Sequence, residues 1–285
     1  MDWLASIVLG LVEGITEFLP VSSTGHLTIA ERLLGWGIDS ADVTAFTAII
    51  QVGAILAAII YFWKDIVRLA VGWFSGLFNS SKRGTDYRLG WAVIVGSIPI
   101  GVVGLAFSHY IETVLRSLWV VAFALIGWSV VLWIADRKAA QMDSAKRIVP
   151  RDESSLTWVD ALIIGTTQCL ALIPGVSRSG ATISAALLRG VDRTTATRWS
   201  FFLGIPALTA SGAMQAVTQY HAISTGIGWL PTIVATVVSF GVAYATIAWL
   251  LRFVASNRFT VFIVYRVLAG CAIIALLLLG IVPAV

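Results

Sequence analysis

Glu13 and Glu17 stand four residues apart in an apolar stretch, and Pro20-Val21-Ser22-Ser23-Thr24-Gly25-His26 follows them. Carboxylates at that spacing share one face of a helix. Ser23 offers a nucleophile, and His26, three residues on, offers a base. Far along the chain, Pro174-Gly175-Val176-Ser177-Arg178-Ser179-Gly180 supplies an arginine between two serines. Its planar fork suits bidentate contact with phosphate oxygens. A guanidinium and clustered hydroxyls suit an anion, of which phosphate is the usual example, with a nucleophile and a base beside it.

Each group also has a plainer reading. Two carboxylates in an apolar helix need a divalent cation, a proton or Arg178 as partner. Hard oxygen ligands suit Mg²⁺ or Ca²⁺, commonly held by one or two carboxylates plus phosphate oxygens; proton relay is the competing use. Arg178 sits at membrane depth, which marks a functional site by default, with a salt bridge to Glu13 or Glu17 as the alternative. Ser22, Ser23, Thr24, Ser177 and Ser179 all precede helical stretches and suit N-capping. For Thr24 and Ser179 capping alone explains them equally well. His26 is placed to serve Ser23 or a water, first as base and then as acid. His109 and His221 fall in polar connections and read as surface residues. Gln51 and Gln168 are polar groups inside apolar stretches, and Gln168 lies one repeat step from Glu13. Tyr265-Arg266 lies in the last span, where Arg266 either snorkels or joins the site.

The two motifs are copies. With a shift of 155, Val21, Ser22, Thr24 and Gly25 fall on Val176, Ser177, Ser179 and Gly180, while Pro20 meets Pro174 at a shift of 154. Each interrupts an apolar stretch with proline, glycine and hydroxyls. In a membrane such irregular backbone is tolerated only where protein or a wet cavity surrounds it. A restarting helix there presents free N–H groups and a partial positive charge, and two such ends facing each other make an anion site.

The elements that carry the motifs follow from composition. The 285 residues are 58% hydrophobic and 12% charged, with mean hydropathy +0.91, against roughly 25% charged in soluble domains. Apolar runs of about 20 residues predict an all-α polytopic membrane protein and not a barrel. The net charge of +4 carries no nucleic-acid signal, because no basic run interleaves with aromatics. Cys169 and Cys271 both lie in apolar segments, against a disulfide framework or a thiolate metal site. Glu13 and Glu17 interrupt the first apolar stretch, against a cleavable signal peptide.

Six spans are expected at about 45–63, 89–107, 118–135, 198–217, 231–251 and 259–283, with 1–34 and 157–189 broken in the middle. Connections 64–88, 136–153, 189–198 and 252–258 hold 15 of the 19 Lys and Arg; 36–44 and 218–230 hold none, and 108–117 holds only Arg116. The positive-inside rule places the basic set in the cytoplasm. Segment 157–189 must then enter and leave on one side as a re-entrant hairpin, and symmetry makes 1–34 another. The result is an inverted-topology repeat of six transmembrane helices plus two re-entrant helical hairpins, with halves 1–140 and 157–285. The alternative is that each broken segment spans once.

The run Glu13-Gly14-Ile15-Thr16-Glu17-Phe18-Leu19-Pro20-Val21-Ser22-Ser23-Thr24-Gly25-His26 resembles the glutamate-rich signature of bacterial undecaprenyl-diphosphate phosphatases, the bacitracin-resistance family. Pro174 to Thr182 is similar to that family's second signature, and Gln168 and Tyr265-Arg266 match as well. The resemblance covers essentially the whole chain. It implies hydrolysis of undecaprenyl diphosphate to the monophosphate and inorganic phosphate, recycling the lipid carrier for cell-wall synthesis and giving tolerance to bacitracin. It also implies a divalent cation, the bacterial inner (plasma) membrane, a polyprenyl diphosphate lipid as partner, and room for a homodimer. The site it implies is catalytic Ser23, His26, Glu17 and Arg178, phosphate-binding Ser22, Thr24, Ser177, Arg178 and Ser179, and metal-holding Glu13 and Glu17. From topology alone, a secondary transporter or lipid flippase with a midplane anion site is the rival.

Overall fold

The computed structural model describes residues 3–37, 40–107, 117–144, 150–218 and 220–284. His109 and Arg116 lie outside the described residues.

In lipid the backbone must satisfy its own polar groups, and apolar runs do so as helices. Helices α1 (Trp3–Thr16) and α2 (Ser23–Leu33) flank the first motif, followed by α3 (Ala41–Tyr61), α4 (Trp63–Phe78), α5 (Thr85–Ala106) and α6 (Leu118–Ser144). The second half runs similarly: α7 (Trp158–Gln168) and α8 (Arg178–Leu188) flank the second motif, then α9 (Arg193–Thr218), short α10 (Tyr220–Thr225), α11 (Trp229–Ser256) and α12 (Thr260–Leu278). Among the described residues five helices are long and apolar enough to cross a membrane: within α3, α5, α6, α11 and α12. A long helix occupies the sixth expected place as well, α9, but it is not among those five.

Two connections differ from expectation. The basic stretch 64–88 contains the 16-residue helix α4. Its apolar residues recur at helical spacing on one face only, a pattern that a search for long apolar runs passes over. The helix expected to end near 135 continues to Ser144, and buried Asp136 within it pairs with Arg193 at 2.8 Å.

The helices on either side of each break pack against each other and also against the opposite half of the chain. α1 lies on α11, and α7 lies on α5. These contacts require glycine. A Cβ on Gly165 would strike the backbone of Gly96, one on Gly53 would strike the Thr236 carbonyl, and one on Gly10 would meet the Ala235 carbonyl at 2.5 Å. Small residues let backbones approach where lipid supplies no hydrophobic drive.

Charged networks tie down the polar ends. Asp160, fully buried near the start of α7, accepts from Arg151 at 2.6 Å and Arg189 at 2.8 Å, so the two ends of the α7–α8 pair are side by side. Its hydrogen bond raises the Arg151 guanidinium above its ordinary value. Asp160 also closes a capping box with Thr157. Arg68 of α4 reaches Asp86 and Glu153, joining α4, α5 and the link between halves.

Gly165→Ala should lower stability by about 1–3 kcal/mol through overpacking. Gly241→Ala, where a Cβ meets nothing within 4 Å, should be neutral or slightly stabilising, since alanine is the better helix former. Thermal unfolding of both variants in detergent checks the contrast.

Candidate active site

The backbone at the two breaks sets the geometry. Ser22 and Ser177 are the only non-glycine residues with positive φ among those described, and both have φ 75°. That conformation costs of order 1–3 kcal/mol and persists only when the surroundings dictate it. Here the surroundings are each other. The Ser22 hydroxyl accepts from Gly175 N at 3.1 Å, and the Ser179 hydroxyl donates to the Leu19 carbonyl at 2.9 Å. Gly175, with φ 99°, lies so close to Val121 that no Cβ fits.

Arg266 completes the junction. It is fully buried, and its guanidinium donates to the Pro20 carbonyl at 3.0 Å, the Gly175 carbonyl at 2.9 Å and the Ser129 hydroxyl at 3.2 Å. One side chain from α12 therefore holds both breaks. The sequence left Arg266 undecided between snorkelling and the site; burial and these bonds decide for the site's frame.

At the junction the chemistry-bearing residues converge. The Ser23 hydroxyl donates to Glu17 Oε2 at 2.6 Å. Arg178 Nη2 lies 3.4 Å from Glu17 Oε1, and Nη1 donates to the Ser200 carbonyl at 3.0 Å. Arg178 Nε is buried without a partner. Gly204 makes room for this arginine, since a Cβ there would strike the guanidinium. Gln51 Nε2 adds a weaker bond to Glu17 Oε2 at 3.3 Å. Glu13 is fully buried one turn earlier, and neither of its carboxylate oxygens has a partner. Gln168, its repeat counterpart, is likewise buried with both amide atoms unpartnered.

His26 takes a different place from the one its spacing suggested. Its Nδ1 lies 2.7 Å from the Ser22 carbonyl and its Nε2 lies 2.6 Å from the Tyr265 hydroxyl. A carbonyl only accepts, so Nδ1 carries the proton in this arrangement. The partner of Ser23 is Glu17 and not His26.

The hydroxyls divide into two groups. Ser177 caps α8 by accepting from Gly180 N at 3.1 Å, and Ser179 is fully buried. Ser22 makes no cap bond to α2, because its hydroxyl points across to the other break. The N-terminus of α2, with Ser23 in its first turn and Thr24 exposed, is therefore without a side-chain cap. Cys169 and Cys271 are free thiols, and His221 is exposed on α10. Among the described residues no group of three or more His, Cys, Asp or Glu is placed to hold a metal.

Fold and site define a polytopic helical membrane protein whose acid–arginine–serine centre is built between two broken helices. The chain belongs to the family described as bacitracin resistance protein BacA, whose model matches residues 6–272. It is 58% identical over 292 residues, covering all of both chains, to the undecaprenyl-diphosphatase of Cutibacterium acnes. It is 56% identical over 285 residues, again covering both chains, to undecaprenyl-diphosphatase 3 of Frankia casuarinae. The undecaprenyl-diphosphatase of Mycolicibacterium smegmatis is 47% identical over 286 residues, at full coverage of both.

Sequence reasoning passed over Gln51 as a partner of Glu17, Ser200 as a carbonyl support for Arg178, and Tyr265 as the partner of His26. The first had a signal, a lone amide in an apolar run; the others required the fold.

Arg266→Met should leave the Pro20 and Gly175 carbonyls unpaired and cost about 2–5 kcal/mol. A thermal midpoint equal to wild type would show that the carbonyls find other partners.

Proposed function

We propose that this protein is an undecaprenyl-diphosphatase, hydrolysing undecaprenyl diphosphate to undecaprenyl phosphate and inorganic phosphate. The observation that carries the reading is the Ser23 hydroxyl hydrogen-bonded to Glu17 beside Arg178, at an uncapped helix N-terminus. Family membership and full-length relatives that bear that activity in their names support it.

The proposed chemistry follows the contacts. Arg178, whose Nε is a free donor, binds oxygens of the terminal phosphate together with the N–H groups opening α2. Ser23 Oγ attacks the terminal phosphorus, and its proton passes to Glu17. The bond from that phosphorus to the bridging oxygen breaks, releasing undecaprenyl phosphate. Water then cleaves the phosphoserine and releases inorganic phosphate. The site contributes mainly alignment and charge stabilisation. Thr24 lies at the rim, while Ser22, Ser177 and Ser179 shape the cradle through the bonds between breaks.

A divalent cation, Mg²⁺ or Ca²⁺, belongs to the proposal. The residues fit: Glu13 presents two buried, unpartnered carboxylate oxygens, which call for a cation or a proton. Glu13 would hold the metal with Glu17 beside it, and the ion would neutralise diphosphate charge.

The finer topology is proposed as well: six spans with α9 as the sixth, two re-entrant hairpins at α1–α2 and α7–α8, and halves 1–140 and 157–285 related by inversion in the inner membrane. Asp160 holding both Arg151 and Arg189 supports the second hairpin, whose ends must then share a face. The basic connections would be cytoplasmic. Reagent accessibility of single cysteines at 153 and 190 should be cytoplasmic for both; labelling from opposite faces would break the hairpin reading.

Phosphate release from undecaprenyl diphosphate by purified protein tests the function. Release should fall with EDTA, and Arg178→Ala, Glu17→Gln and Ser23→Ala should each lose 100-fold or more, on the order of removing one charge-stabilising or nucleophilic group. Near-native turnover by Ser23→Ala would exclude the serine route. A folded wild type that releases no phosphate would move the reading to a carrier.

A further inference from the structure

Tyr265 and Arg266 are neighbours on α12, yet they face opposite environments. Arg266 is fully buried on the two breaks, whereas Tyr265 is 46% exposed on the bundle's perimeter. Successive residues on a helix point about 100° apart, so one turn of α12 serves both the interior and the rim. The Tyr265 ring stacks on His26 with centroids 5.5 Å apart and planes at 12°, and its hydroxyl lies 2.6 Å from His26 Nε2.

The bonding sense of this chain is fixed at one end. The Ser22 carbonyl can only accept, so His26 Nδ1 donates to it. Neutral imidazole then has a lone pair at Nε2, and the phenol donates into it. The chain ends on the carbonyl of Ser22, the strained residue immediately before Ser23. The side chain of Ser22 is itself tied to Gly175 N. Ser22 is therefore gripped on its hydroxyl by the second break and on its carbonyl by His26, and the direction in which Ser23 leaves is set between them.

The second break supplies an internal comparison. Ser177 has the same φ of 75°, but the residue in the place of His26 is Ala181. There Ser177 caps its own helix through Gly180 N, and the next residue is Arg178 instead of a hydroxyl. Among the described residues the imidazole clamp occurs at the break that carries Ser23 and not at the other.

We propose that Tyr265 is a positioning residue for Ser23, acting through His26 and the Ser22 carbonyl. The inference rests on the phosphatase reading above. Its effect is on the alignment of the attacking oxygen and not on substrate affinity. Tyr265→Phe keeps the ring stack and removes the hydrogen bond. It should lower kcat about 3–10-fold, the worth of one hydrogen bond, with KM unchanged within about twofold. Because the chain acts as a unit, Tyr265→Phe combined with His26→Ala should be no slower than His26→Ala alone.

The assay is phosphate release from undecaprenyl diphosphate by the purified full chain, with thermal unfolding of each variant alongside. A wild-type kcat in Tyr265→Phe, a loss carried by KM alone, or multiplicative effects in the double variant would each overturn the proposal. Ring-nitrogen NMR of ¹⁵N-histidine-labelled wild type gives an activity-free readout: the Nδ1–H tautomer at His26 is expected, and the Nε2–H tautomer overturns the clamp even if a variant fails to fold. An inactive wild type defeats the phosphatase reading, and the tautomer measurement still decides the clamp.

Discussion

A helix that stops inside a membrane leaves backbone carbonyls and N–H groups that lipid cannot satisfy. In this protein two helix breaks lie side by side, and one buried guanidinium takes carbonyls from both. Arg266 takes the carbonyls of Pro20 and Gly175 together, one from each break. Two further bonds run directly between the breaks, Gly175 N to the Ser22 hydroxyl and the Ser179 hydroxyl to the Leu19 carbonyl. Each interruption is satisfied partly by its own half, as where Ser177 caps Gly180 N and His26 takes the Ser22 carbonyl, and partly by the other break. The site exists because the repeat is closed on itself.

The second constraint is charge. Glu17 is buried but fully engaged, by Ser23 and Gln51 on one oxygen and Arg178 on the other. Glu13, one turn away, has no partner for either oxygen. Burying a carboxylate without compensation is costly, and such groups mark places where a ligand or proton belongs. The orphaned Nε of Arg178 is the complementary feature, a free donor beside the engaged acid. The acid and the arginine are thus each only partly satisfied by the protein itself.

The two breaks share a backbone and differ in chemistry. Both turn on a serine at φ 75°, yet one helix is capped by its own serine and the other is left uncapped. The capped copy contributes the cation, and the uncapped copy contributes the hydroxyl, the carboxylates and the imidazole. The two motifs differ at Ser23/Arg178 and His26/Ala181, the positions that carry the unlike groups. Close glycine contacts join α1 to α11 and α7 to α5, so each broken pair is packed on a helix of the other half.

Local pattern was enough to mark the polar residues, the duplicated break and the long apolar helices, since hydropathy and repeat spacing are properties of the chain itself. It marked Gln51, Gln168 and Arg266 as out of place without saying what they touch. The amphipathic α4 escaped because its apolar residues form a face and not a run. The pairing of Ser23 with Glu17, the turning of His26 toward Tyr265, and the choice of Arg266 as the clamp are contacts between residues six to 246 positions apart. Spacing along the chain carries no distance across it, so the sequence determined which groups could do chemistry, and only the packing of α12 and the two breaks decided which of them face one another.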